Sequence, residues 1–136
     1  MSGVTNYGAL QLLNASLSNG NYSFPSAMYL ALYTVSPTAS APGTEVVSGV
    51  NYARIQTVFN FAVTGPPVHC LGPNAITTFG VATGSTWGSL IAFGLLDGPS
   101  NTTSNLWYFG PLSVPRTINV GDQISFPINS LTVSLG

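Results

Sequence analysis

Apolar residues recur along this chain with two different periods. Near the start, Leu10, Leu13 and Leu17 fall at i, i+3 and i+7, the spacing of one helix face, with Thr5 or Asn6 as a cap and Asn19-Gly20 as a stop. That spacing predicts a short helix within residues 1–22. From Ala27 to Tyr33 the side chains are apolar on both alternating faces, the pattern of a strand covered on both sides, by an opposing sheet and the helix. Further on, Ile55, Thr57, Phe59 and Phe61 alternate with Arg54, Gln56 and Asn60, which predicts a half-exposed strand. Shorter runs predict strands over 75–79, 89–96, 106–109, 117–120, 123–128 and 130–135. In the last of these Leu131, Val133 and Leu135 alternate with Ser130, Thr132 and Ser134.

About eight short strands result, divided by turn signals such as Asp97-Gly98-Pro99-Ser100-Asn101 and Asn119-Val120-Gly121-Asp122, with no helix between them. The expected architecture is mainly β: a single antiparallel β-sandwich or jelly-roll-like domain over residues 1–136, with an N-terminal helical segment (1–22) and a sandwich (23–136). At 14.1 kDa such a chain buries roughly two-thirds of its surface, enough for a real core.

Composition changes the functional picture more than the fold. The 136 residues hold two Arg, no Lys, three acidic residues and one His, while 45% are hydrophobic and 11% aromatic. Soluble domains carry about 25% charged residues, against 4% here, so Ser, Thr, Asn, Gly and apolar groups must form the surface. A net charge of -1 leaves too few cations to neutralise phosphates, which argues against direct nucleic-acid binding and against anionic membranes. There is no apolar run of transmembrane length, and the N-terminus lacks the basic and apolar regions of a signal peptide. Synthesis and assembly in a cytoplasm are expected. So is self-association, since a surface this poor in charge exposes apolar patches that a monomer normally avoids.

Candidate chemistry is sparse. His69 and Cys70 are adjacent, and on an extended segment they point to opposite sides, so they do not share a metal ion. No nucleophile-elbow glycine pattern surrounds a Ser, and pairing Glu45, Asp97 or Asp122 as a glycosidase dyad has no support in their spacing. No catalytic residue, cofactor or metal is expected. The sequons at Asn14, Asn21 and Asn101 are what a Ser/Thr/Asn-rich chain produces by chance. The charged residues read as structural: Glu45 with Arg54, and Arg116 with Asp122, flank connections that a local bidentate pair would fix. Trp87-Gly88, Phe93-Gly94, Trp107-Tyr108 and Phe109-Gly110 pair rings with glycines or with each other; most are expected in the core, Trp87 as an anchor packed over Gly88. Leu10, Leu13, Leu17, Tyr52, Trp107 and Tyr108 are the candidate interface residues.

The order of these segments is informative in itself. Tyr29-Leu30-Ala31-Leu32-Tyr33-Thr34 with Pro37, then Gly43-Thr44-Glu45-Val46 with Ser48-Gly49, then Tyr52-Ala53-Arg54, resembles the small bacteriophage proteins labelled tail fibre proteins. The likeness continues through Trp87-Gly88, Phe93-Gly94-Leu95-Leu96-Asp97, Leu106-Trp107-Tyr108-Phe109-Gly110, Val120-Gly121-Asp122, Ser125-Phe126-Pro127 and Leu131-Thr132-Val133. Val46-Val47 adds a residue before Ser48-Gly49, and the family's glycine run is reduced to Gly49-Val50-Asn51. The resemblance implies a β-rich virion component assembled in a host bacterial cytoplasm. Its partners would be other virion proteins, capsid or tail subunits, and further copies of itself, as in a trimer. With no room for a shaft, the compact neutral sandwich is expected to act as a capsid cement or decoration protein. The alternatives are a tail fibre or baseplate component, and a carbohydrate-binding module stacking sugars on Trp107, Tyr108 or Tyr52.

Overall fold

A computed structural model describes residues 3–18, 24–100 and 104–135. In chain order its elements are β1 (Gly3–Val4), α1 (Asn6–Leu17), β2 (Met28–Val35), β3 (Thr44–Glu45), β4 (Ile55–Thr57), β5 (Val68–Gly72), β6 (Thr77–Thr78), β7 (Gly88–Leu96), β8 (Leu106–Ile118), β9 (Ser125–Phe126) and β10 (Leu131–Leu135). The fold is mainly β, with one short helix and antiparallel pairing throughout.

One six-stranded sheet runs in the order β1-β8-β7-β2-β3, with β4 also paired to β2. Two ribbons, β5 with β10 and β6 with β9, lie over one of its faces. The principal core forms between the layers, from Leu30, Leu32, Leu90 and Phe93 on the large sheet and Phe79, Ile124, Phe126 and Leu131 on the opposite side. Each such fully buried side chain contributes roughly 1.5–3 kcal/mol. The other face of the same strands carries Ala31, Tyr33, Ala92 and Leu96, with Leu106 against them. The double-sided apolar pattern of 27–33 therefore reports a central strand buried on both faces. Gly94 is required there: a Cβ on it would stand 2.7 Å from both the Tyr33 ring and Leu106.

Several boundaries differ from the sequence reading. The strand expected to run through Phe61 stops at Thr57, because β2, its pairing partner, begins at Met28, which Thr57 faces. The chain then turns to β5, where Asn60 donates its N–H to the Leu71 carbonyl. The segments 106–109 and 117–120 belong largely to one long strand, β8, which continues through Pro111 and Pro115. Proline lacks the ladder donor but is tolerated along an open edge, and beyond the short β1 pairing at Tyr108 and Phe109 that edge has no strand neighbour among the described residues. The register between β7 and β8 jumps from Leu90↔Arg116 to Ala92↔Pro111, so Leu112–Pro115 form a wide bulge. Segments 75–79 and 123–128 shrink to the two-residue pair β6 and β9.

The helix starts as expected, with Gly8 donating its N–H to the Thr5 hydroxyl at 3.1 Å. Its packing does not follow the leucine stripe. Gly8 is the buried residue, set against the Trp107 backbone and Val4, whereas Leu10, Leu13 and Leu17 are 55%, 56% and 77% exposed. The expected stop at Asn19-Gly20 and the sequons at Asn21 and Asn101 lie outside the described residues.

Candidate functional site

Two places gather the chain's unusual chemistry. The first is a charged network on the β3 edge. Arg54 grips Glu45 with two parallel bonds, Nε to Oε2 at 2.8 Å and Nη2 to Oε1 at 2.7 Å, and both side chains are largely buried. Arg54 Nη1 also donates to the carbonyls of Gly98 and Ser100, fastening the connection between β7 and β8. The Tyr52 hydroxyl donates to Glu45 Oε2 at 2.7 Å and accepts the Leu32 N–H at 3.0 Å. Hydrogen bonding to Glu45 raises the Arg54 pKa beyond its ordinary value, against the effect of desolvation. Burial, then the Glu45 charge, pushes the Tyr52 phenol well above the usual range, and the same causes raise Tyr33.

The second expected pair does not form. Arg116 and Asp122 are exposed, and among the described residues the only ion pair is Arg54 with Glu45. Asp122 instead accepts the Asn119 N–H at 3.0 Å, closing the turn before β9, while Arg116 lies on β8 beside the bulge. Asp97 has a structural role that its position in a turn signal did not reveal. It accepts the Asn105 N–H at 2.7 Å and the Trp107 indole N–H at 3.1 Å.

The aromatic candidates are placed inside. Trp107 is 1% exposed, with Tyr7 edge-on at 5.6 Å. Tyr52 stacks on Phe79 and meets Trp87 edge-on. Trp107 offers no face on which a sugar could stack, Phe79 takes one face of the half-buried Tyr52, and Tyr108 is half-buried on a cavity wall. Trp87 is buried, as its sequence context predicts, but its ring packs on Tyr52 and Phe79; Gly88 is there for a φ of +89°.

The second place is an apolar cavity of about 360 Å³, open on one side, between β4, the end of β2 and the β5–β10 ribbon. Met28, Phe59, Cys70, Leu95, Tyr108 and Val133 line it, and no Asp, Glu, Lys or Arg does. Cys70 is a free, half-buried thiol on this wall. His69 also lines the cavity, with its Nδ1 held 2.9 Å from the Pro67 carbonyl oxygen. Burial, with a smaller contribution from Cys70, raises the Tyr108 phenol pKa. Thr57 also lines the cavity, and its buried hydroxyl has no hydrogen-bond partner among the described residues. Beside the rim stands Phe61, 98% exposed. Strict alternation put Phe61 on the same face as Phe59; the usable warning was Gly65-Pro66-Pro67, which ends regular pairing close by. Among the described residues no group of three or more His, Cys, Asp or Glu gathers to hold a metal, and no helix is long and apolar enough to cross a membrane.

The carboxylates Glu45, Asp97 and Asp122 are thus committed to structural bonds, beside a layered β core and an apolar cavity. The family model for the podophage GP4 fibre I protein gp80 matches residues 3–134, nearly the whole chain, and the chain belongs to that family. It is a structural protein of the phage virion, of the fibre type. No curated protein matches the sequence.

Proposed function

We propose that this protein is a component of the phage's tail-fibre apparatus, a rigid module that joins other virion proteins through neutral, apolar contacts and performs no catalysis. The family match over residues 3–134 carries this reading, and it favours a fibre over the capsid cement that compactness alone suggested. The fate of the carboxylates supports the non-catalytic part: Glu45, Asp97 and Asp122 each accept hydrogen bonds that shape the fold. Burial of Trp107 speaks against a carbohydrate platform on that ring, and Phe79 already takes one face of Tyr52. The exposed leucines of α1 are the surface proposed to meet another virion protein, since the helix is held to the sandwich without them. Immunogold labelling of intact particles tests the location. Gold at the tail is the expected result; gold spread over the head would restore the cement role and overturn this one.

A further inference from the structure

The geometry points to a knob-in-pocket contact between two copies of this chain, in which Phe61 of each copy enters the 360 Å³ cavity of the other. Phe61 is 98% exposed, a state in which its ring gains nothing from folding. Its neighbours Phe59 and Ala62 line the cavity, so the projecting ring and the unfilled hole lie side by side on one end of the sandwich. Around them the surface is apolar. Val58, Val63, Val68 and Leu135 are all exposed, and backbone pairing sets Val63 opposite His69 and Val68 opposite Leu135.

Three physical arguments select a second copy as the occupant. A cavity of about 150 Å³ suffices for a benzene-sized ring, and this one exceeds that. A ring and a hole adjacent on the same surface are self-complementary, the condition for a closed two-fold contact. No charged side chain lines the cavity, and the chain carries a net charge of only -1, so two identical surfaces meet without repulsion or a buried unpaired ion. This inference concerns the chain itself and stands whether the virion site is tail or head.

The sole cysteine provides a reporter inside the hole. Sedimentation velocity on the purified chain over a wide concentration range should show association, and alkylation of Cys70 should slow as concentration rises. Phe61→Ser removes two buried rings from each dimer, each contributing about ten- to a hundredfold, so it should weaken association roughly 100- to 10,000-fold and should leave Cys70 reactive at every concentration. Because Phe61 is exposed in the single chain, the melting temperature of that variant should match the wild type at concentrations too low for association; Phe61→Leu, which keeps an apolar knob, should retain part of the association. A wild-type chain that stays monomeric, association that survives Phe61→Ser, or Cys70 protection independent of concentration would each overturn the proposal.

Discussion

The indole of Trp87 donates its Nε1 hydrogen to the Val50 carbonyl at 2.9 Å, a bond made where both residues are buried. It ties the irregular segment before β4 to the start of β7, while the ring fills space against Tyr52 and Phe79. Trp87→Ala should therefore cost about 3–5 kcal/mol. Trp87→Phe retains most of the volume but removes one of two donors to the Val50 carbonyl, which keeps the Thr83 N–H at 3.2 Å, and should cost about 0.5–1.5 kcal/mol. Urea unfolding midpoints with unchanged slopes would establish both values; equal stability of Trp87→Phe and wild type would show that the hydrogen bond contributes nothing.

Removing Arg54 should be among the most damaging single changes on this surface. Its loss leaves Glu45 largely buried with Tyr52 as its remaining donor and takes the guanidinium away from the Gly98 and Ser100 carbonyls. Breaking one side of a buried pair typically costs about 3–5 kcal/mol. Arg54→Lys should fall short of rescue, because an ammonium cannot reproduce two parallel bonds to one carboxylate together with two loop carbonyls. Thermal melting of the three proteins gives the order wild type, Lys, Ala.

What the sequence revealed of this fold depended on how many neighbours each segment has. Strand β2 was legible because pairing on both edges and packing on both faces leave an unbroken apolar run. Glu45 and Arg54 were legible as a pair because both flank one loop, and the structure joins them with two bonds. Arg116 and Asp122 met the same criterion and do not pair: Asp122 is committed to the Asn119 N–H of the turn, while Arg116 stands on β8 opposite Leu90. The leucine stripe of α1 has helical spacing, yet the face that packs is the one with Gly8, because closeness to β8 outweighs side-chain size there. The apolar cavity was invisible for a different reason: its walls come from six separated segments, and no local pattern encodes their convergence.

Close approach at Gly8 inverts an ordinary helix rule. Replacing a mid-helix glycine by alanine normally stabilises by roughly 0.5–1 kcal/mol. At this position the new methyl would stand 2.8 Å from the Trp107 carbonyl oxygen and 2.9 Å from Val4 Cγ2, and backbone cannot yield as a flexible side chain can. Gly8→Ala should lower the melting temperature. Leu10→Ser, Leu13→Ser and Leu17→Ser, at exposed sites, should each stay within about 0.5 kcal/mol of wild type. A stabilised Gly8→Ala protein would show that α1 rides more loosely on β8.

Two of the raised tyrosines, Tyr33 and Tyr52, make stability sensitive to base. Tyr33 and Tyr52 are held neutral by burial and by the Glu45 carboxylate, so their folded pKa values lie above the ordinary value of about 10 that the unfolded chain recovers. Below about pH 10 both states carry the phenol protons, and these groups give no pH dependence. Above it the unfolded chain releases protons that the folded one keeps, so stability should fall as pH rises. Phenolate absorbance should accordingly lag behind that of the free amino acid and then appear together with unfolding. Tyr52→Phe removes one of these protons and should flatten the alkaline decline. At neutral pH it should cost about 1–3 kcal/mol, because the Leu32 N–H loses its acceptor and Glu45 loses a donor. A variant whose stability falls as steeply above pH 10 as the wild type's would exclude Tyr52 as a source of the base sensitivity.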